Sequence, residues 1–209
     1  MKLYYSAGSC STSCHITLEE SGLPYEAVEV DWDNPAQAAE VTRLNPLGTL
    51  PILITDKETL LSQNLGIHTY VADLAPAKHL LPPAGTLERA EAMNWLSFIA
   101  SDMHKSFSPL FGLESISPDK QVQESVRAWS VGNIKNCLSY LETRLAGKDY
   151  LMGKAFTVAD AYCSVVVNWT QWVGISIEEN KNLKAYLGRV RERPAVQKVY
   201  KEEGLSEEK

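Results

Sequence analysis

The sequence predicts an α/β domain over residues 1–80 followed by an all-α domain over residues 87–209. Three observations carry that reading. Short apolar runs alternate with helical stretches up to about Leu81, as strands and helices do in an α/β layer. The segment Ala75–Gly85 holds three of the ten prolines and reads as a linker, because proline favours extended, non-helical backbone. Beyond it strand signals vanish, and apolar residues recur every three or four positions.

In the first domain, Leu3-Tyr4-Tyr5 reads as a strand broken by Gly8 and Ser9. A helix follows from about Thr12 to Ser21, with Gly22 as its stop and Pro24 just beyond. Tyr25 to Val30 alternates as a second strand, Pro51–Ile54 is a third, and a turn at Lys57-Glu58 leads into Thr59–Leu61 as an antiparallel partner. Asn64 to Leu74 carries Leu65, Tyr70, Val71 and Leu74 at helical spacing.

In the second domain, Ala92, Leu96, Ile99, Met103 and Phe107 form one apolar stripe, ending at Pro109. A second stripe runs through Val122, Val126, Trp129, Ile134, Leu138, Leu141 and Leu145. Phe156–Asp160 has the form of a capping box, with Asp160 reaching back toward Thr157. The helix it opens is apolar on nearly every side from Ala161 to Val167 and is expected at the centre of the domain. Leu183–Arg193 supplies one more helix before Pro194.

Composition narrows the partners. With 209 residues, 44% hydrophobic and 22% charged, the chain has the make-up of a globular protein able to bury a real core. Its formal net charge of −6 gives no electrostatic footing on nucleic acid or an anionic bilayer. Four cysteines are too few for a disulfide framework, and Cys10 and Cys14 are separated by three residues rather than the two of a redox or zinc hook. No metal site is expected. Without a signal-peptide stretch or an apolar run near the roughly 20 residues of a membrane span, the expectation is a reduced, cytoplasmic protein.

Several motifs then fall in one order. Ser9-Cys10 follows the first strand, Asn45-Pro46-Leu47-Gly48-Thr49-Leu50-Pro51 leads into the third, and Leu61-Ser62-Gln63-Asn64 opens a helix. His104-Lys105 lies in the first long helix of the second domain, and Phe156–Asp160 closes the set. Together they resemble cytosolic glutathione transferases, most closely the bacterial beta class, over essentially the whole chain. The resemblance implies a thioredoxin-like domain followed by an all-α domain, glutathione as co-substrate with no permanently bound cofactor, small hydrophobic electrophiles as second substrates, and a homodimer.

The residues bear their own chemistry. Cys10 stands where a strand hands over to a helix, and helix N-terminal amides favour an anion, which can bring a thiol from about 8.5 into the range 3.5–7.5. An inert, buried thiol is the alternative, and packing is the expectation for Cys14. Ser9 is the runner-up activator of the glutathione sulfur. Leu50-Pro51 is a candidate cis bond, with the Leu50 amide and carbonyl turned outward to pair with a bound peptide's cysteinyl backbone. Gln63 and Asn64, at a helix start, suit the γ-glutamyl carboxylate.

Ser97 and Ser101, seven and three positions before His104, share one polar stripe with it, and the resemblance implies that all three contribute to glutathione binding. By the resemblance His104 assists the sulfur and Lys105 reaches the glutathione of the partner subunit. Phe107, Phe111, Trp169 and Trp172 are candidates for the electrophile pocket. The loop 31–36 lacks the lysine relatives commonly offer to glutathione, which predicts weaker binding unless Arg43 or Lys105 compensates. Glutathione-dependent thiol–disulfide exchange or peroxide reduction through Cys10, and a non-catalytic binding or scaffold protein, are the competing readings.

Overall fold

The computed structural model describes residues 1–205, so the last four residues of the expected second domain lie outside the described residues. Four strands form one mixed sheet: β1 (Lys2–Tyr5), β2 (Glu26–Glu29), β3 (Ile52–Ile54) and β4 (Leu60–Leu61), in the order β2-β1-β3-β4. β1 pairs parallel with β2, while β1–β3 and β3–β4 are antiparallel, with Leu3 opposite Ala27 on one side and Leu53 on the other.

Alternation along β1 sorts its side chains. Leu3 and Tyr5 go into a core with Cys14, Leu18, Leu53, Ile67 and Val71, contributed by α1 (Ser11–Ser21) and α3 (Asn64–Leu74). Tyr4 faces a smaller cluster around Val30, Val41 and Ile52, covered by α2 (Pro35–Leu44). α1 ends as expected, at Gly22 in the left-handed region with φ +68°.

α2 begins inside the expected loop 31–36, at Pro35. Its start does carry a signal, Asn34 capping the Ala36 amide at 3.0 Å with Pro35 in the first helical position. Only Val41 of this helix is buried, so it lacks the apolar stripe by which helices are recognised.

The linker region is not loose. Leu80 and Leu81 are buried in the helical core, and the Leu80 carbonyl accepts the Val158 amide at 3.0 Å. α4 (Leu87–Phe98) then runs through a π-helical segment, Ile99–His104, into a last α-turn, Lys105–Phe107. α5 (Lys120–Arg144) follows, then α6 (Val158–Asn168), the short α7 (Thr170–Val173), α8 (Lys181–Arg191) and α9 (Pro194–Glu202). α6 is the central helix, with every residue from Val158 to Val167 buried.

The Asp160 carboxylate accepts the Thr157 amide at 2.8 Å and the Thr157 hydroxyl at 3.0 Å with one oxygen, and the Leu151 amide at 2.8 Å with the other. The expected α5 stripe fails in its first half. Val122 and Trp129 are exposed, and Gln123 and Ser130 face inward instead, because α5 packs fully only from Ile134 onward.

Candidate functional site

Cys10 is the N-cap of α1 and is half-buried. Its thiol lies 3.6 Å from the Leu50 carbonyl oxygen, to which it donates, and the Leu50-Pro51 peptide is cis, as expected. The backbone behind the sulfur is held firmly. The Cys10 carbonyl accepts from the Ser13 hydroxyl at 2.7 Å and from Asn64 Nδ2 at 2.8 Å. Asn64 Nδ2 also lies 3.0 Å from Ser13 Oγ, and His68, wholly buried, reaches Ser13 Oγ with Nε2 and Thr17 Oγ1 with Nδ1, at 3.1 and 2.8 Å. Burial drives the His68 imidazole down to about 3, so this ring is neutral.

The loop before Cys10 is tied to the far end of the chain. Glu203, just after α9, accepts the Gly8 amide at 3.1 Å and the Thr12 hydroxyl at 2.6 Å, and its other oxygen lies 2.9 Å from His15 Nδ1. Trp169 Nε1 donates to the Gly8 carbonyl at 2.9 Å. A Cβ on Gly8, at φ +72°, would come within 2.6 Å of Trp172, so both the backbone angle and the indole require glycine there.

Two expectations are corrected at this end of the site. Asn64 turns inward to hold the Cys10 carbonyl and is buried, so its side chain is not offered to a ligand carboxylate. Gln63 is exposed and caps no amide of α3 with its side chain. The second correction concerns acidity. Burial pushes the Cys10 thiol up to about 11, outweighing the Cys10 and Ser11 amides and the Lys105 charge that pull it down. Cys10 is therefore a neutral donor at neutral pH. Ser9 is occupied locally, its hydroxyl 2.6 Å from Ser11 Oγ and accepting the Ser11 amide. Cys14 is fully buried and packs in the core.

His104 departs from the regular stripe. The π-helical segment before it takes more residues per turn than an α-helix, so positions that should align with Ser97 and Ser101 fall out of register. Ser97 and Ser101 stay exposed, and the Ser101 hydroxyl bonds back to the Ser97 carbonyl and to Asp102. His104 is instead half-buried, its Nδ1 2.7 Å from the Tyr162 hydroxyl and its ring 4.7 Å from that of Trp169, edge-on. Burial, with the Lys105 charge second, lowers its imidazole to about 4.

The Tyr162 phenol, raised mainly by burial, keeps its proton, and its one acceptor among the described residues is His104 Nδ1. His104 is thus a neutral ring with its proton on Nε2. Charge on Cys10 would also raise Tyr162. Tyr162 was not anticipated from the sequence, where it read only as core. Lys105 is exposed.

Of the four aromatic candidates, Phe107 is wholly buried and is a core residue rather than a pocket wall. Trp169 is nearly so, with Phe107 and Phe111 packed edge-on against it. Phe111 and Trp172 are more than half exposed, with ring centroids 6.5 Å apart. Arg43 does not stand in for the missing loop lysine, since Glu40 holds it through two 2.7 Å bonds.

A small mixed sheet with a cysteine at the head of its first helix, facing the residue before a cis proline, backed by an all-helical domain, defines a thiol-handling protein of the thioredoxin-like group. Family comparison makes this specific. Residues 7–74 match the N-terminal domain model of glutathione S-transferases and residues 100–194 the C-terminal domain model. The chain is 35% identical over 209 residues to the glutathione S-transferase GstA of Escherichia coli O157:H7, covering 98% of this chain and 100% of that protein.

Among solved structures, a sphingomonad glutathione S-transferase complexed with glutathione superposes with a TM-score of 0.87 at 37% identity, covering 99% and 100% of the two chains. A beta-class enzyme of Sphingomonas chungbukensis gives 0.87 at 36% identity, with the same coverage. The chain belongs to the glutathione S-transferase family. Among the described residues no helix is long and apolar enough to cross a membrane.

Proposed function

We propose that the protein conjugates the thiol of glutathione to small hydrophobic electrophiles, as a cytoplasmic homodimer. The observation that carries this reading is the 3.6 Å contact of a protonated Cys10 thiol with the Leu50 carbonyl, at the edge of a family fold whose sphingomonad member was solved with glutathione. When glutathione binds, the cysteinyl N–H of the tripeptide takes the Leu50 carbonyl, pairing as an added strand would, and the Cys10 S–H turns to the glutathione sulfur.

Because burial pushes the Cys10 thiol up to about 11, it is a weaker acid than an ordinary thiol, and the glutathione sulfur rather than Cys10 loses its proton. The S–H···S⁻ bond then stabilises that thiolate. The amides at the start of α3, with Gln63 beside them, receive the γ-glutamyl carboxylate, and Lys105 supplies positive charge, to the partner subunit's glutathione in the dimer. His104, donating from Nε2, orients the sulfur or the leaving group. With 1-chloro-2,4-dinitrobenzene, the thiolate forms a bond to the ring carbon, the ring and its nitro groups carry the added electron pair, and chloride departs with the bonding electrons. The thiol proton has already passed to water. Phe111 and Trp172 offer the apolar contact for the ring.

Thiol–disulfide exchange through Cys10 is the second reading, favoured by the partial exposure of this sulfur. It requires the Cys10 thiolate, scarce at neutral pH when burial holds the thiol near 11. Assaying the chain with 1-chloro-2,4-dinitrobenzene and with hydroxyethyl disulfide separates the two. Conjugation is expected to dominate at neutral pH and to survive in part in Cys10→Ser. Activity on the disulfide alone overturns the first reading, and calorimetry without glutathione binding at millimolar ligand favours the scaffold reading.

A further inference from the structure

A polar seam runs through the otherwise apolar contact of α1 with α3. Ser13 and Thr17 stand one turn apart on α1, Asn64 and His68 stand one turn apart on α3, and the two pairs face each other. All four are buried, beside Cys14, Leu18, Ile67 and Val71. Apolar side chains of the same shape can pack such a seam with no loss of stability, so packing alone does not account for the cluster.

The donors in this cluster run in one direction. The Ser13 hydroxyl gives its one proton to the Cys10 carbonyl, at 2.7 Å. Its oxygen therefore accepts from Asn64 Nδ2 at 3.0 Å and from His68 Nε2 at 3.1 Å, which places the His68 proton on Nε2. Nδ1, bare in the neutral ring, accepts the Thr17 hydroxyl at 2.8 Å. Tyr162 packs against the same ring with 5.6 Å between centroids, so His68 is fixed at both nitrogens and on one face. The chain of donors ends on the Cys10 carbonyl, which also takes Asn64 Nδ2 directly at 2.8 Å and the Ser13 amide at 3.2 Å.

The Cys10 carbonyl and the Ser11 amide are two ends of one planar peptide group. Donors on the carbonyl draw electron density from the nitrogen, strengthen its N–H and hold the plane in which that N–H points. The Ser11 amide is one of the groups that favour charge on the Cys10 sulfur. We propose that His68 is a positioning residue for the sulfur site, acting through Ser13 on the Cys10–Ser11 peptide so that the Ser11 amide makes the Cys10 S–H a stronger donor. His68 itself makes no hydrogen bond to the Cys10 sulfur; its partners are Ser13, Thr17 and Cys14. The consequence for turnover rests on the conjugation reading above, whereas the consequence for the acidity of Cys10 does not.

The test is the rate at which iodoacetamide modifies Cys10 in the full chain at about pH 8.5, where the rate follows the thiolate fraction. Cys14, Cys137 and Cys163 are buried, and a Cys10→Ala chain supplies the background. His68→Leu, which removes the Nε2 donor, should slow the reaction about three-fold, and His68→Gln, whose amide can take the same place, should restore most of the parent rate. In His68→Leu the freed Thr17 hydroxyl can bond to the carbonyl one turn before it, so the variant is expected to fold. Ser13→Ala should slow the reaction at least as much, and adding His68→Leu to it should change nothing further, which a general loss of stability would not reproduce. An unchanged or faster reaction in His68→Leu, no recovery in His68→Gln, or additive slowing in the double variant overturns the proposal. In the unaltered chain, nitrogen-15 shifts should show His68 protonated on Nε2 and bare on Nδ1, and the opposite tautomer overturns the proposal whether or not a variant folds. The alkylation rates are read without glutathione or electrophile, so they decide the proposal even where the parent chain fails to conjugate.

Discussion

The Tyr162 hydroxyl lies 2.7 Å from His104 Nδ1, joining the central helix of the second domain to the π-helical segment that carries the histidine. The bond fixes which ring nitrogen carries the proton. Tyr162→Phe removes the donor and leaves the ring free to rotate or change tautomer. One neutral hydrogen bond is worth about 1 kcal/mol, so kcat with 1-chloro-2,4-dinitrobenzene is expected to fall about five-fold while the glutathione KM holds. Nitrogen-15 shifts of His104 should lose the Nε2–H signature. Unchanged kcat and tautomer would contradict the role given to this pair.

His104 itself is lowered to about 4, chiefly by burial, so it stays neutral across the physiological range. The pH profile of kcat/KM should therefore show no inflection near 6.5 that belongs to this residue. Profiles for the parent chain and His104→Gln are expected to differ in height and not in shape. An inflection near neutrality that disappears with His104 would show a charged imidazole at work instead.

How far the sequence carried these assignments depended on whether a feature was local. Strand β1, the Gly22 stop, the α3 bounds and the Thr157–Asp160 cap are written in neighbouring residues, and all appear where the pattern put them. The Cys10 and Leu50 pairing was legible only through the order of motifs along the chain.

Features decided by three-dimensional packing were not legible. The π-helical segment at Ile99–His104 breaks the regular spacing that placed Ser97, Ser101 and His104 together. The inward turn of Asn64, the complete burial of Phe107 and the raised Cys10 thiol all follow from what packs around them. α9 and Glu203 could have been sought through the Pro194 start, but nothing local links residue 203 to the Gly8 amide.

His68 predicts a pH dependence of stability. The unfolded chain takes up this proton near 6.5 and the fold resists it until about 3, so between those values the unfolded state holds more protons and stability falls as pH drops. The contribution is about 1.4 kcal/mol for each pH unit within that window. Asp160, raised by burial to about 6, acts with opposite sign over part of the range, so the comparison is made against His68→Gln. Denaturant midpoints at pH 7 and pH 4.5 should drop less in the variant; equal drops would place the His68 proton elsewhere.

Asp160→Ala should destabilise the second domain by about 2–4 kcal/mol, because it leaves the Leu151 and Thr157 amides buried without acceptors. Asp160→Asn keeps an acceptor oxygen and should cost less. Urea denaturation ranks the two, and a reversed order would mean that charge rather than hydrogen bonding sets the role of this residue.

A neutral Cys10 should alkylate slowly at pH 7, with the iodoacetamide rate still climbing above pH 9 toward a midpoint near 11. A plateau reached below pH 7 would mean a thiolate in the free protein.

The assignment of Cys10 as donor to a glutathione thiolate is tested most directly by the ultraviolet thiolate absorbance of bound glutathione as a function of pH, in the parent chain and in Cys10→Ala. Bound glutathione should ionise at lower pH than free glutathione in the parent, and shift back toward the free value when the Cys10 S–H is removed. Identical titrations in the two proteins would contradict it.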